Sequence, residues 1–328
     1  MIDSSRRNFL IGAAGLTGVA ATGGARVAVA APPAKGSGHV RYDPLLLDLS
    51  GSRAAVLSAA DGGEAYADVV EEPDGRKHIG KPRYGEITTV TGAGQSPQLY
   101  DWVRSLFDRT ALRRSGSIVQ LDSGSEHSRL QFADALVTEV GMPALDAASK
   151  DVARMTVKFK PELTRRQAGS RQPVDVPKDH QKSWLPSNFR LRIDGLDEAC
   201  ARVGKIDALT IKQKVTESAV GELRDYEKEP AKIEVPNLVI ALAESHAKPL
   251  YAWHEDFVVN GNNGQDQERG GSLEYLASAL RTVLFTLTFS GLGIFKLAPD
   301  KSEAGAEGVR RVKAEMYCED VRFAYSGA

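Results

Sequence analysis

The amino-acid sequence predicts a mainly β, α+β protein made of two tandem antiparallel β-barrel or sandwich units, each carrying one short packed helix. Three observations predict it. The same amphipathic helix is written twice, as "PQLYDWVRSLFD" (Pro97 to Asp108) and "KPLYAWHEDFVV" (Lys248 to Val259). Each copy is flanked by stretches that alternate apolar and polar residues with the period of two of a half-buried strand. Between the copies lies "PELTRRQAGSRQPVDVPKDHQKSWLPS" (Pro161 to Ser187), a polar stretch with four prolines and no sustained periodicity.

Length and composition fit this reading. A chain of 328 residues is longer than most single cores and carries a prior of about two domains. With 42% hydrophobic and 26% charged residues, and 42 basic side chains against 43 acidic, the chain is globular. That balance excludes disorder and leaves no basic footprint for nucleic acid. The only long apolar run is N-terminal, so no membrane span is expected in the mature protein.

In chain order, residues 1–30 read as a signal peptide. Arg6 and Arg7 precede an apolar run from Phe9 to about Ala21, and Ala28-Val29-Ala30 stands just before Ala31-Pro32-Pro33. Small residues at Ala28 and Ala30 suit signal peptidase, and the Ser-Arg-Arg-x-Phe-Leu order resembles a twin-arginine signal. Export would place the mature chain in the periplasm or outside the cell. Residues 31–39 read as a flexible segment, 40–163 as a first unit, 164–187 as a Pro-rich linker whose prolines disfavour helix, and 188–328 as a second unit.

The duplication is legible by sliding the sequence on itself. With a shift of 151, Pro82–Trp102 lies over Ile233–Trp253 without a gap, and Leu99, Tyr100 and Trp102 fall on Leu250, Tyr251 and Trp253. These six residues are expected to form the structural core beneath each helix. "LLLDLSG" (Leu45 to Gly51) and "FRLRIDG" (Phe189 to Gly195) open the two units with the same alternation and final glycine. Strand-type sequence follows each helix. In the second unit Val283, Phe285, Leu287 and Phe289 alternate with Leu284, Thr286, Thr288 and Ser290.

The order "KHIGKPRYGEITTVTGAGQSPQLYDWVRSLFD", "GSIVQLD", "RLQFADALVTEVGMPALDAASKDVARMTVKFKPE" resembles the tail-tube protein family of contractile phages and related injection systems. The resemblance covers residues 40–163 closely and 188–326 more loosely. It implies a structural, non-enzymatic protein whose barrels join sheet edge to sheet edge, six to a ring, with rings stacking into a tube. Open edges satisfy their backbone groups in that way. With two units per chain, three chains would close a ring, a homo-trimer of pseudo-six-fold symmetry. Other tail or injection-system components are the further partners implied, and a virion or injection particle is the alternative location. An exported monomeric protein that binds through a β-barrel surface is the competing function.

No catalytic, cofactor or metal site is expected. The six histidines form no metal-binding spacing, and His254 falls on the helix stripe. "DSGSEHS" (Asp122 to Ser128) reads as a polar hairpin loop, since catalytic partners converge from separate elements. "VVNGNNGQDQERGGS" (Val258 to Ser272) lacks the alternating acidic ligands of a calcium loop and reads as a turn. Cys200 and Cys318 are either a disulfide or two separate thiols.

Overall fold

Alternating sequence becomes strand throughout the computed structural model, which describes residues 44–176, 184–219, 226–299 and 309–326. The signal residues Arg6, Arg7, Ala28 and Ala30 lie outside the described residues.

The first half opens with β1 (Leu45–Leu49) and β2 (Ser52–Gly62). They are joined by Ser50-Gly51, both at positive φ (51° and 82°), the backbone that lets a two-residue loop follow the natural twist of its strands. A long hairpin follows, β3 (Ala65–Glu71) and β4 (Lys77–Tyr84), then β5 (Ile87–Thr91) and helix α1 (Pro97–Phe107). After the helix come β6 (Arg114–Asp122), the 18-residue β7 (Ser125–Met142), the short β8 (Leu145–Asp146), β9 (Met155–Lys160) and β10 (Leu163–Ala168). Strands β1, β2, β5, β9, β7 and β6 pair in that order, and β6 returns to β1, which closes a barrel. The loop expected at "DSGSEHS" is the β6–β7 hairpin, turning at Ser123-Gly124. Its Glu126 is bonded to Arg129 at 2.8 Å.

The second half runs β11 (Phe189–Ile193), helix α2 (Asp197–Cys200), β12 (Val203–Ile206), β13 (Leu209–Ala219), β14 (Tyr226–Glu234) and β15 (Leu238–Ala243). Helix α3 (Lys248–His254) continues through a π-helical turn, Glu255–Val259, before β16 (Arg269–Leu276), β17 (Val283–Pro299) and β18 (Arg311–Tyr325). The sheet order is β11-β16-β17-β18-β15-β12-β8. It follows the order of the first barrel, β1-β6-β7-β9-β5-β2, but β11 and β12 do not pair and α2 stands between them in sequence, so the sheet stays open.

One apolar core runs through both halves. It includes Leu47, Ile87, Trp102 and Phe159 from the first and Leu250, Leu287, Ile294 and Met316 from the second. The stretch expected to be linker is in part ordered on the barrel. Its residues 163–168 form β10 against β7, and Val174 and Val176 cover the outer cluster of Leu46, Val56, Val119 and Leu121. Trp184 ends the stretch at 2% exposure. Its ring stacks on Tyr275 and meets Phe285 edge-on, while its carbonyl accepts from the Ala153 amide at 2.9 Å. Local turn chemistry did not foretell these contacts because they are made by tertiary pairing. Cys200 and Cys318 are both free thiols, with burial as the first cause pushing each up to about 11.

Candidate assembly interface

Beside the short pairing of β8 with β12, the two halves meet along a seam with two main parts. In the first, β13 adds to the sheet of the other half along the end of β7: Leu209 faces Met142, Thr210 Gly141, Ile211 Val140 and Lys212 Glu139. Strand addition satisfies edge N–H and C=O groups that would otherwise need water. The β13–β14 hairpin is then locked by charge and backbone. Lys228 is 4% exposed, and its Nζ donates to the Pro161 carbonyl at 2.6 Å while Arg113 donates to the Lys228 carbonyl at 2.5 Å. A buried ammonium needs such acceptors, because leaving it unpaired costs several kcal/mol (about 3–5). Lys160 pairs with Glu217 at 2.6 Å, and Lys205 with Asp146 at 2.9 Å.

In the second part, α1 lays one flank on the β17–β18 sheet. Tyr100 meets Phe285 edge-on at 5.3 Å and Tyr325 at 4.9 Å, and Phe107 stacks on Phe323 at 5.3 Å. Around this aromatic cluster the Tyr325 hydroxyl donates to Asp101 at 3.1 Å, the Arg104 guanidinium lies 5.9 Å over the Tyr325 ring, and Arg109 pairs with Asp320 at 2.9 Å. The helix thus has two apolar faces. Leu99, Trp102 and Val103 face the first barrel, and Tyr100 and Phe107 face the second sheet.

Of the six residues expected beneath the helices, Leu99 (1%), Tyr100 (4%), Trp102 (0%), Leu250 (0%) and Trp253 (4%) are buried. Tyr251 is not, and the expectation is corrected: it is 40% exposed. Tyr100 is covered because a second sheet lies on its flank of α1, and its hydroxyl accepts from the Gly94 and Gln95 amides at 3.0 and 3.1 Å. Helix α3 packs on β17 with its other face and has no such cover among the described residues. Sequence reasoning put Phe107 on the single apolar stripe of the first helix and missed the seam residues Lys228, Phe323 and Tyr325. The one signal was that α1 is apolar on more of its circumference than one stripe requires.

Among the described residues, no group of three or more His, Cys, Asp and Glu side chains could hold a metal ion. No helix among them is long and apolar enough to cross a membrane. His254 is half-buried. The segment from Val258 to Ser272 is a π-helical end, a short 3-10 turn at Gln265–Gln267 and the start of β16.

Two carboxyls of the seam are held charged by their partners. The Lys160 ammonium bonded to Glu217 holds that carboxyl below its ordinary 4.5. The Ala148 amide, then Lys205, hold Asp146 below its ordinary 3.8. A carboxyl depressed in the folded state stabilises it fully above the ordinary value and loses that contribution as pH falls through the folded one. The melting temperature is therefore expected to drop as the pH falls below 4.5, the ordinary value of a Glu carboxyl, and to be insensitive to these two groups above it. It should drop less in a Glu217→Gln, Asp146→Asn double variant. An equal drop in both would assign the acid sensitivity to other groups.

Comparison with known proteins places part of the chain. Residues 48–163 match the model of the T4-like virus tail tube protein gp19 family. No curated protein matches the chain. Among solved structures, a chain of the PVC sheath/tube terminator of an extracellular contractile injection system is 19% identical, over 43% of this chain and 100% of that chain, with a TM-score of 0.33. A chain of the anti-feeding prophage tube-terminating cap is 16% identical over 44% of this chain and 100% of its own, with a TM-score of 0.34. Hcp1 from Flavobacterium johnsoniae is 17% identical over 39% and 97%, with a TM-score of 0.30.

Proposed function

We propose, from the premise that residues 48–163 belong to the T4-like virus tail tube protein gp19 family, that the chain is a structural, non-enzymatic tube-type subunit that assembles with copies of itself. The observation that carries this reading is the seam. Within one chain, a hairpin from one barrel-type sheet extends the edge of the other, which is how separate β subunits join. The two sheets are read as tandem copies, 40–163 and 188–328, a reading supported by their matching strand order and by the repeated helix. Two copies per chain then make three chains the closed unit of six, because closed symmetry leaves no edge unpaired in the ring. Other tail or injection-system components are the natural partners of such a ring, and stacking of rings would extend it to a tube.

The mature chain is read as exported through Arg6 and Arg7 and cut after Ala30, to the periplasm or to an extracellular particle. Replacing both arginines by lysine is expected to hold the uncleaved chain in the cytoplasm, as judged by fractionation and intact mass. Export of that variant with normal cleavage would contradict the twin-arginine reading. The structural role itself is tested by negative-stain imaging of the purified mature protein. Rings with a central hole are expected, whereas single particles of one chain's size at every salt concentration would favour a monomeric binding protein.

A further inference from the structure

The seam joins the first half to the second, and the other side of each half carries counterparts of the same elements. The residue pairings fix the correspondence. Arg83 matches Glu234 at the shift of 151. Their partners across each hairpin are Tyr66 and Lys212, so β3 corresponds to β13, and Ala65 to Ile211. Thr89 matches Ile240, and following their pairings through Val157 and Ala314 leads to Val140 on β7 and Leu297 on β17. In the seam, Ile211 faces Val140. Ala65 and Leu297 are the corresponding positions, and neither has that partner. Among the described residues β3 pairs only with β4, and Lys296–Pro299 pair only with β18. The β3–β4 hairpin also exposes apolar side chains, Ile79 at 71% and Val69 at 67%. A two-stranded sheet with exposed apolar residues is marginal alone.

The helix side repeats the pattern with altered charge. Phe107 corresponds to Val258, 42% exposed, and Arg104 to Glu255, also exposed. On the sheet, Phe323 pairs with Leu287, and the corresponding Leu130 pairs with Arg166, which is exposed. So the helix flank carries a cation in the seam and an anion in its counterpart, while the facing strand position changes from phenylalanine to arginine.

We infer that a second copy of this chain occupies the open side of the second half: its β3 adds to β17 with Ala65 opposite Leu297, and its Arg166 lies on the α3 flank at Val258, one helical turn from Glu255. This rests on the self-assembly reading above and specifies its contact. The charges also set the order of units around the assembly. Helix α1 with Arg104 is repelled by a strand bearing Arg166, and α3 with Glu255 gains nothing from a β18 bearing Asp320. First and second halves must therefore alternate, by attraction at the right contact and repulsion at the wrong one.

Directly opposed strand residues lie within disulfide reach. In a Cys318→Ser background, full-length mature chains carrying Ala65→Cys and chains carrying Leu297→Cys, mixed and mildly oxidised, are expected to form a disulfide between chains. Val70→Cys mixed with Leu297→Cys should not. Glu255→Arg alone should weaken assembly at least fivefold in dilution light scattering, and adding Arg166→Glu should restore it. Assembled protein that gives no Ala65–Leu297 disulfide, or no rescue by the second charge change, overturns the inferred contact while leaving self-assembly standing. A chain that stays monomeric without any substitution overturns both.

Discussion

Replacing Trp102 by alanine is expected to lower the unfolding free energy by about 3–5 kcal/mol, the range for deleting a buried large aromatic. The ring is fully buried. It lies 4.9 Å from Phe159 and stacks at 6.4 Å on Phe132, so its loss opens a cavity between α1 and the barrel strands β7 and β9. The barrel wall cannot collapse into that space without breaking its strand pairing. The indole N–H also donates to the Leu112 carbonyl at 3.1 Å, a bond that ties the loop before β6 back to α1. Trp102→Phe should recover part of the loss by refilling volume without the donor. Urea denaturation reads the difference. A change within about 0.5 kcal/mol, the usual range for surface substitutions, would mean that the helix does not pack as described.

Phe323→Ala is expected to cost a comparable amount, about 3–5 kcal/mol, for a different reason. Phe323 is 3% exposed and touches Phe107 at 5.3 Å and Phe285 at 5.8 Å. The contact with Phe107 joins the two halves, while the contact with Phe285 lies within the second sheet. Because the core is continuous across the seam, one cooperative calorimetric transition should persist at a lower temperature. A variant in which one half melts early and the other keeps the wild-type temperature would show the halves to be independent domains, with the seam an incidental contact. The energy would then belong to one sheet alone.

The contrast between Tyr100 and Tyr251 shows how far sequence reading reaches. The internal repeat identified both, and the helices lie where the apolar spacing put them, because a 3.6-residue period reports one face of a local element. It cannot report what lies on a second face. Tyr100 is covered by Phe285 and Tyr325, which come from the far end of the chain, and the matching flank of Tyr251 is open. The β17 alternation was equally legible: Phe285, Leu287 and Phe289 are buried. The addition of β13 to β7 was not, since strand pairing across some 70 residues depends on where two edges meet and not on either strand's own pattern. The stretch after Pro161 misled for a related reason. Its polar residues lack periodicity, yet residues 163–168 find a partner in β7, and Val174 and Val176 find an apolar surface already formed.

The seam uses one hairpin and one edge, and among the described residues the matching hairpin and edge stay open, which favours assembly of the chain with its own copies. The molar mass of the purified mature protein, measured by light scattering at high micromolar concentration, tests it most directly. Three chains are expected, with dissociation on dilution. A single mass of one chain across that concentration range, at low and high salt alike, would contradict the account.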